Sequence, residues 1–194
     1  MMKYKIFGIL LFCLTLNLHS QTKNEKESRI ALDAFPEQSQ NVITSITKDV
    51  RRIRHYKETD GENLSFETKF KYDKHWFSVE FNASGILEDI EVEIKERQIA
   101  DDIRSKINSY LKTHYSKFDF LKIQEQYPFN DSKSPQQFLK SVLSQRKNTL
   151  SNYEIVVALK YDKDWQIKEM TFDENGIFLR ERTLQQDSYE YIMY

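Results

Sequence analysis

The amino-acid sequence predicts an α+β protein of two tandem units. Each is a helix followed by a four-stranded antiparallel sheet, with the helices packed on one sheet face and the other face open. Three observations lead there. Lys71-Tyr72-Asp73-Lys74-His75-Trp76 recurs as Lys160-Tyr161-Asp162-Lys163-Asp164-Trp165, 89 residues later. Phe81-Asn82-Ala83-Ser84-Gly85-Ile86 recurs as Phe172-Asp173-Glu174-Asn175-Gly176-Ile177, 91 residues later and in the same order. Around both pairs, apolar and polar residues alternate with the period of a half-buried strand. Two ordered matches whose offsets differ by two residues describe a duplicated unit with a small insertion, and two copies are too few for a solenoid.

The first twenty residues read as an address. Lys3 and Lys5 precede an apolar run from Ile6 to Leu16, and the chain then turns polar up to the small Ser20. That order is the one of a secretory signal peptide, cut after Ser20, and the apolar run is short for a membrane span. Phe12 before Cys13, with apolar residues continuing beyond, departs from a lipoprotein signal. Cleavage would place the mature chain in the periplasm or outside the cell. Removing Lys3 and Lys5 from the 29 basic residues leaves 27 against 30 acidic ones, a formal charge of −3, with no cysteine. Near-neutral charge and an envelope address argue against a nucleic-acid partner. The absence of cysteine excludes disulfides, thiolate metal sites and iron–sulfur clusters.

Residues 21–96 make the first expected unit and 97–186 the second, with a tail at 187–194. In the first, a short helix over about Glu25 to Phe35 ends before Pro36, and a strand around Asp49 to Lys57 follows. Leu64 to Tyr72, Phe77 to Phe81 and Ile86 to Ile94 alternate as three further strands. In the second, Ile99, Ile103, Ile107, Tyr110, Leu111 and His114 form one stripe of a helix over 98–115. Strands are expected at Phe118 to Tyr127, Tyr153 to Tyr161, Trp165 to Phe172 and Ile177 to Leu184. Between the first two, Ser134-Pro135-Gln136-Gln137 has the pattern of a cap, a first-turn proline and a capping-box partner, which starts an inserted helix over about 134–147. Asn82 to Gly85 and Asp173 to Gly176 read as hairpin loops, and Asp73-Lys74 and Asp162-Lys163 as tighter turns.

The helix, the Tyr-Asp-Lys-x-Trp turns and the strands around Phe81 to Ile94 and Phe172 to Leu184 resemble the PepSY-like proteins of bacterial envelopes, grouped with the β-lactamase inhibitory proteins. The resemblance covers nearly all of residues 26–186. It implies helices on one side of an antiparallel sheet and a concave face formed by two units, which in the inhibitory proteins binds a folded enzyme. Those relatives use disulfides and this mature chain has none, so inhibition of a β-lactamase does not carry over.

If Phe77, Val79 and Phe81 point to the helices, alternation turns Trp76 outward, with Leu87 on the same face. In the second unit the same phase buries Met170 and Phe172 and leaves Trp165, Ile167 and Phe178 outward. Trp76, Leu87, Trp165, Ile167 and Phe178 are therefore the candidate partner-binding residues. Aromatic anchors in a polar surround build protein interfaces, while the same side chains also serve as cross-strand packing. No catalytic, metal or cofactor constellation is expected. His55, His75 and His114 show no paired spacing, Asp173-Glu174-Asn175-Gly176 lacks most of a calcium loop, and no nucleophile elbow occurs. Glu88 to Asp102 and Lys48 to Lys57 read as solvated charge runs. The expected function is a non-enzymatic, monomeric, periplasmic or secreted module holding a protein or peptide on its open face. An envelope hydrolase or a structural accessory on the same scaffold are the alternatives.

Overall fold

A computed structural model of the chain describes residues 21–145, 152–161 and 164–185. The expected signal peptide, the Asp162-Lys163 turn and the tail from 187 lie outside the described residues. Ten strands form one sheet: β1 (Gln21–Lys23), β2 (Glu25–Ile30), β3 (Arg51–Asp60), β4 (Asn63–Tyr72), β5 (His75–Asn82), β6 (Leu87–Glu93), β7 (Lys117–Pro128), β8 (Asn152–Tyr161), β9 (Asp164–Asp173) and β10 (Phe178–Leu184). The helices are α1 (Glu37–Thr44), α2 (Asp101–His114) and α3 (Pro135–Gln145). The strand order is β1-β10-β9-β8-β7-β6-β5-β4-β3-β2.

The ends of that order are consecutive in the chain. β1 runs parallel to β10, with Lys23 opposite Leu184, and one residue later β2 runs antiparallel to β3, with Glu25 opposite Asp60. At the crossing, the Asn24 amide donates to Asp60 Oδ1 at 2.8 Å, and the Gln185 amide donates to the Lys23 carbonyl at 3.2 Å. One N-terminal segment thus satisfies both sheet edges, and the sheet nearly closes on itself as a barrel does.

This mostly β, barrel-like sheet overturns the expected two helix-plus-four-strand units with an open face. Three local facts explain the correction. First, β6 and β7 pair across the expected boundary, Ile90 with Tyr127 and Val92 with Glu125, so the halves share one sheet. Second, Glu25 to Phe35 is a strand and a 3-10 turn at Leu32–Ala34, not a helix. Pro36 stands at the head of α1, where a missing amide hydrogen costs nothing, and its carbonyl accepts the Ser39 hydroxyl at 2.7 Å. Third, the inserted α3 packs with α1: its Phe138, Leu139 and Val142 join Val42 and Ile43 over Phe70, Phe81 and Ile90 of the first half.

Two apolar clusters cover the outer sheet face. The first lies under α1 and α3; the second sets Ile107 and Leu111 of α2 on Ile155, Leu159, Met170 and Phe172. Full burial of each such side chain contributes about 1.5–3 kcal/mol. The repeated hairpins anchor the strands to these helices. Asn82 Oδ1 accepts the Ser84 and Ile86 amides, and Asp173 Oδ1 accepts the Asn175 and Ile177 amides. Gly85 and Gly176 hold φ of 81° and 78°. A Cβ on Gly85 would sit 2.6 Å from Pro36 Cβ, and one on Gly176 3.0 Å from the Ile103 carbonyl oxygen. Glycine is required twice over, by dihedral and by contact.

Candidate functional site

Alternation along each strand sends one set of side chains to the helices and the other to the inside of the closing sheet. Most of the inner set around the middle of the sheet is charged or polar. It lines a chamber of about 340 Å³ with nine carboxylates, five basic side chains and two glutamines.

The chamber has two kinds of acidic site. At the seam, Lys23 Nζ lies 2.9 Å from Glu169 Oε2 and 2.7 Å from Glu25 Oε2, while Arg182 Nε donates to Glu169 Oε1 at 2.9 Å. Nearby, Lys69 Nζ lies 2.7 Å from Glu27 Oε1 and 3.0 Å from Glu67 Oε2, and Ser78 also donates to Glu67. Burial alone would push Glu169 and Glu67 up, but the cations overcome it: Lys23 and Arg182 hold Glu169 at about 2, and Lys69 holds Glu67 at about 2. Glu58, beside Glu67, moves the other way. Its burial and the Glu67 charge raise its pKa well above the usual carboxylate range.

On β5 and β6 the second site has no cation in contact among the described residues. Glu80, Asp89 and Glu91 each bring a carboxylate oxygen within 4.8 Å of the others. Gln126 Nε2 donates to Asp89 Oδ2 at 2.9 Å and to Glu91 Oε1 at 3.4 Å, and Gln124 Nε2 donates to Glu91 Oε2. Asp89 Oδ1 is buried with no hydrogen-bond partner. Glu154 on β8 lines the same chamber, is 7% exposed, and its side chain has no hydrogen bond or ion pair among the described residues. Burial, aided by like charge, raises all four. Asp89 and Glu154 reach about 7, and Glu80 and Glu91 go well above the ordinary value.

The five residues singled out in the sequence divide. Trp76 and Ile167 are partly buried and Trp165 is 49% exposed, all three on the inner-facing set of their strands. Arg54 lies over the Trp76 ring at 5.8 Å, and Ile167 packs on Val156 and Leu184. Leu87 and Phe178 are corrected to the helix side. Leu87 is buried in the first core cluster, and Phe178 stacks on Tyr110 at 4.6 Å. The cause is a bulge in each of β6 and β10. Phe81 faces Leu87 while Glu80 faces Asp89, and Phe172 faces Phe178 while Thr171 faces Arg180. Glu88 and Leu179 are the extra residues, and each reverses the phase beyond it. The same bulges leave Ile86 and Ile177 at 52% and 59% exposure.

Sequence reasoning missed the chamber because it read Asp89 and Glu91 as part of a solvated acidic run. A signal was present in the strands themselves: Glu67 and Lys69, Glu80, Glu154, Glu169, and Arg180 and Arg182 all occupy the polar phase of consecutive strands. His55, His75 and His114 bond separately to Thr68, Asp73 and Tyr110 and do not converge.

No protein-family model matches the sequence, and no curated protein is similar to it. Among solved structures, the fold is similar to a DUF2874 family protein from Bacteroides ovatus, with TM-score 0.52 and 12% identity over 84% of this chain and 98% of that one. A BLIP-like protein from Bacteroides fragilis gives TM-score 0.47 and 13% identity over 77% and 86%. A candidate periplasmic protein from Bacteroides eggerthii gives 0.48 and 9% over 77% and 88%. None of the three is described as PepSY-like. At these identities, the likeness to the Bacteroides ovatus protein is one of fold.

Proposed function

We propose that the protein is a non-enzymatic binding module of the cell envelope, and that its ligand is a small cationic group taken into the chamber. One observation carries the reading: nine carboxyl groups face five basic side chains in a chamber of about 340 Å³, and the carboxyls in excess are grouped where, among the described residues, no cation makes contact. Buried charge without a counter-charge is costly, and a ligand of opposite charge relieves it. β1 and β2 pair with β10 and β3 and draw the sheet round on itself, which supports a ligand small enough to enter the chamber over a folded partner on an open face. The envelope address rests on the basic, apolar and small-residue order of residues 1–20. No helix among the described residues is long and apolar enough to cross a membrane.

Thermal unfolding followed by tryptophan fluorescence tests the reading. Putrescine and argininamide at millimolar concentration should raise the melting temperature by several degrees, while glutarate and inositol should leave it unchanged. Equal stabilisation by glutarate, or none by any cation including the divalent ions below, overturns it.

A further inference from the structure

We infer that Glu80, Asp89 and Glu91 form an internal site for a hard divalent cation, bound from β5 and β6 on the floor of the chamber. This rests on the chamber being the ligand site and names the ligand class.

Three features of geometry converge. The three side chains offer oxygens within 4.8 Å of one another, close enough to share one ion. An all-oxygen, carboxylate-rich donor set suits hard cations such as calcium and magnesium, which take six or more oxygens, with water completing the shell. Asp89 Oδ1 is buried without a hydrogen-bond partner, so one lone-pair donor in the group is unspent.

A separate observation points the same way from another strand. Glu154 is 7% exposed on β8 and lines the chamber with a side chain that has no hydrogen bond or ion pair among the described residues. A buried carboxylate in that position adds negative potential on the group without filling it. The other acidic group, Glu25, Glu27 and Glu58, matches in spacing but differs in occupancy: Lys69 is bonded to Glu27, and Lys23 to Glu25. Ammonium groups already hold the cation position there. On β5 and β6 that role falls to the amide hydrogens of Gln124 and Gln126, which an ion would displace.

Calcium chloride and magnesium chloride, each titrated calorimetrically into the folded chain, test the site. At least one should bind with one ion per chain. Glu91→Gln should weaken binding at least tenfold and Asp89→Asn comparably, with unchanged circular dichroism, whereas Glu27→Gln should stay within twofold. Should one floor variant fail to fold, the other carries the comparison. Divalent binding that survives both floor variants undiminished overturns the site. Putrescine binding without divalent binding also overturns it and leaves the chamber reading standing, while silence from every cation removes both.

Discussion

At the seam of the sheet, Glu169 receives Arg182 and Lys23, each at 2.9 Å; across the chamber, Glu80, Asp89 and Glu91 meet amide donors and one another. Both groups are withdrawn from water by the same closing sheet. Burial disfavours the charged form in each, yet Glu169 is held at about 2 while Asp89 rises to about 7. Counter-charge decides the outcome, not depth. The seam carboxylates therefore act as a clasp that joins β1 to β9 and β10. The floor carboxylates hold the fold less well than uncharged side chains would, which is the condition of a site built for something else.

Glu169→Gln should have the largest effect. It leaves Lys23 and Arg182 buried with their main counter-charge removed, a change that typically costs about 3–5 kcal/mol. Urea unfolding at pH 7 measures it; a loss under about 1 kcal/mol would mean that the seam closes without its clasp. Glu154→Gln should act in the opposite direction. A carboxyl whose folded pKa is raised from 4.5 to about 7 costs stability above 4.5, with the full penalty above 7. The variant should thus gain about 3 kcal/mol at pH 8 and almost nothing at pH 4. A gain that persists at pH 4 would trace to packing, and a loss at pH 8 would show that Glu154 already has a partner.

The two groups also divide the pH axis in the wild-type chain. Depressed Glu67 and Glu169 contribute fully above 4.5 and lose that contribution as pH falls toward 2. Raised Asp89 and Glu154 cost stability as pH climbs from about 4 to 7. Stability from urea unfolding, measured from pH 3 to 8 in buffer free of divalent ions and polyamines, should peak in mildly acidic solution and fall by more than about 2 kcal/mol by pH 8. A monotonic rise to pH 8 would contradict the raised floor.

Much of this architecture is legible in the sequence, and the part that is not has a physical reason. Six strands, β4 to β6 and β8 to β10, follow from alternation, β3 and β7 from their place before each repeated trio, and α2 from the stripe of Ile107 and Leu111. Repetition located the hairpins, whose Asn82 and Asp173 caps are local. Closure is not local. Glu25 to Ile30 alternates charges with charges, so no hydrophobic contrast marks it as a strand, and its partners lie on β1, β3 and β4. Leu87 and Phe178 were misplaced because one inserted residue reverses every later side chain, and periodicity carries no sign of where Glu88 or Leu179 drops out of register. The inner site is assembled from strands far apart in the chain, each contributing one or two ordinary-looking acids.

Ionic strength gives the smallest expected effect and separates the clasp from surface ion pairs. The Glu169 side chain is 3% exposed and Lys23 15%, whereas the Arg51–Asp49 pair is 77% and 83% exposed. Mobile ions screen charges they can approach, and the Debye length falls from roughly 10 Å at 0.1 M to 3 Å at 1 M. They cannot enter between partners 2.9 Å apart inside the sheet. The cost of Glu169→Gln should therefore agree within about 0.5 kcal/mol between 50 mM and 500 mM sodium chloride, and Asp49→Asn should cost under about 0.5 kcal/mol at either. If salt erased most of the Glu169 effect, water and ions would have to reach the seam freely. The contrast between a paired, closed seam and an unpaired floor would then fail at the seam first.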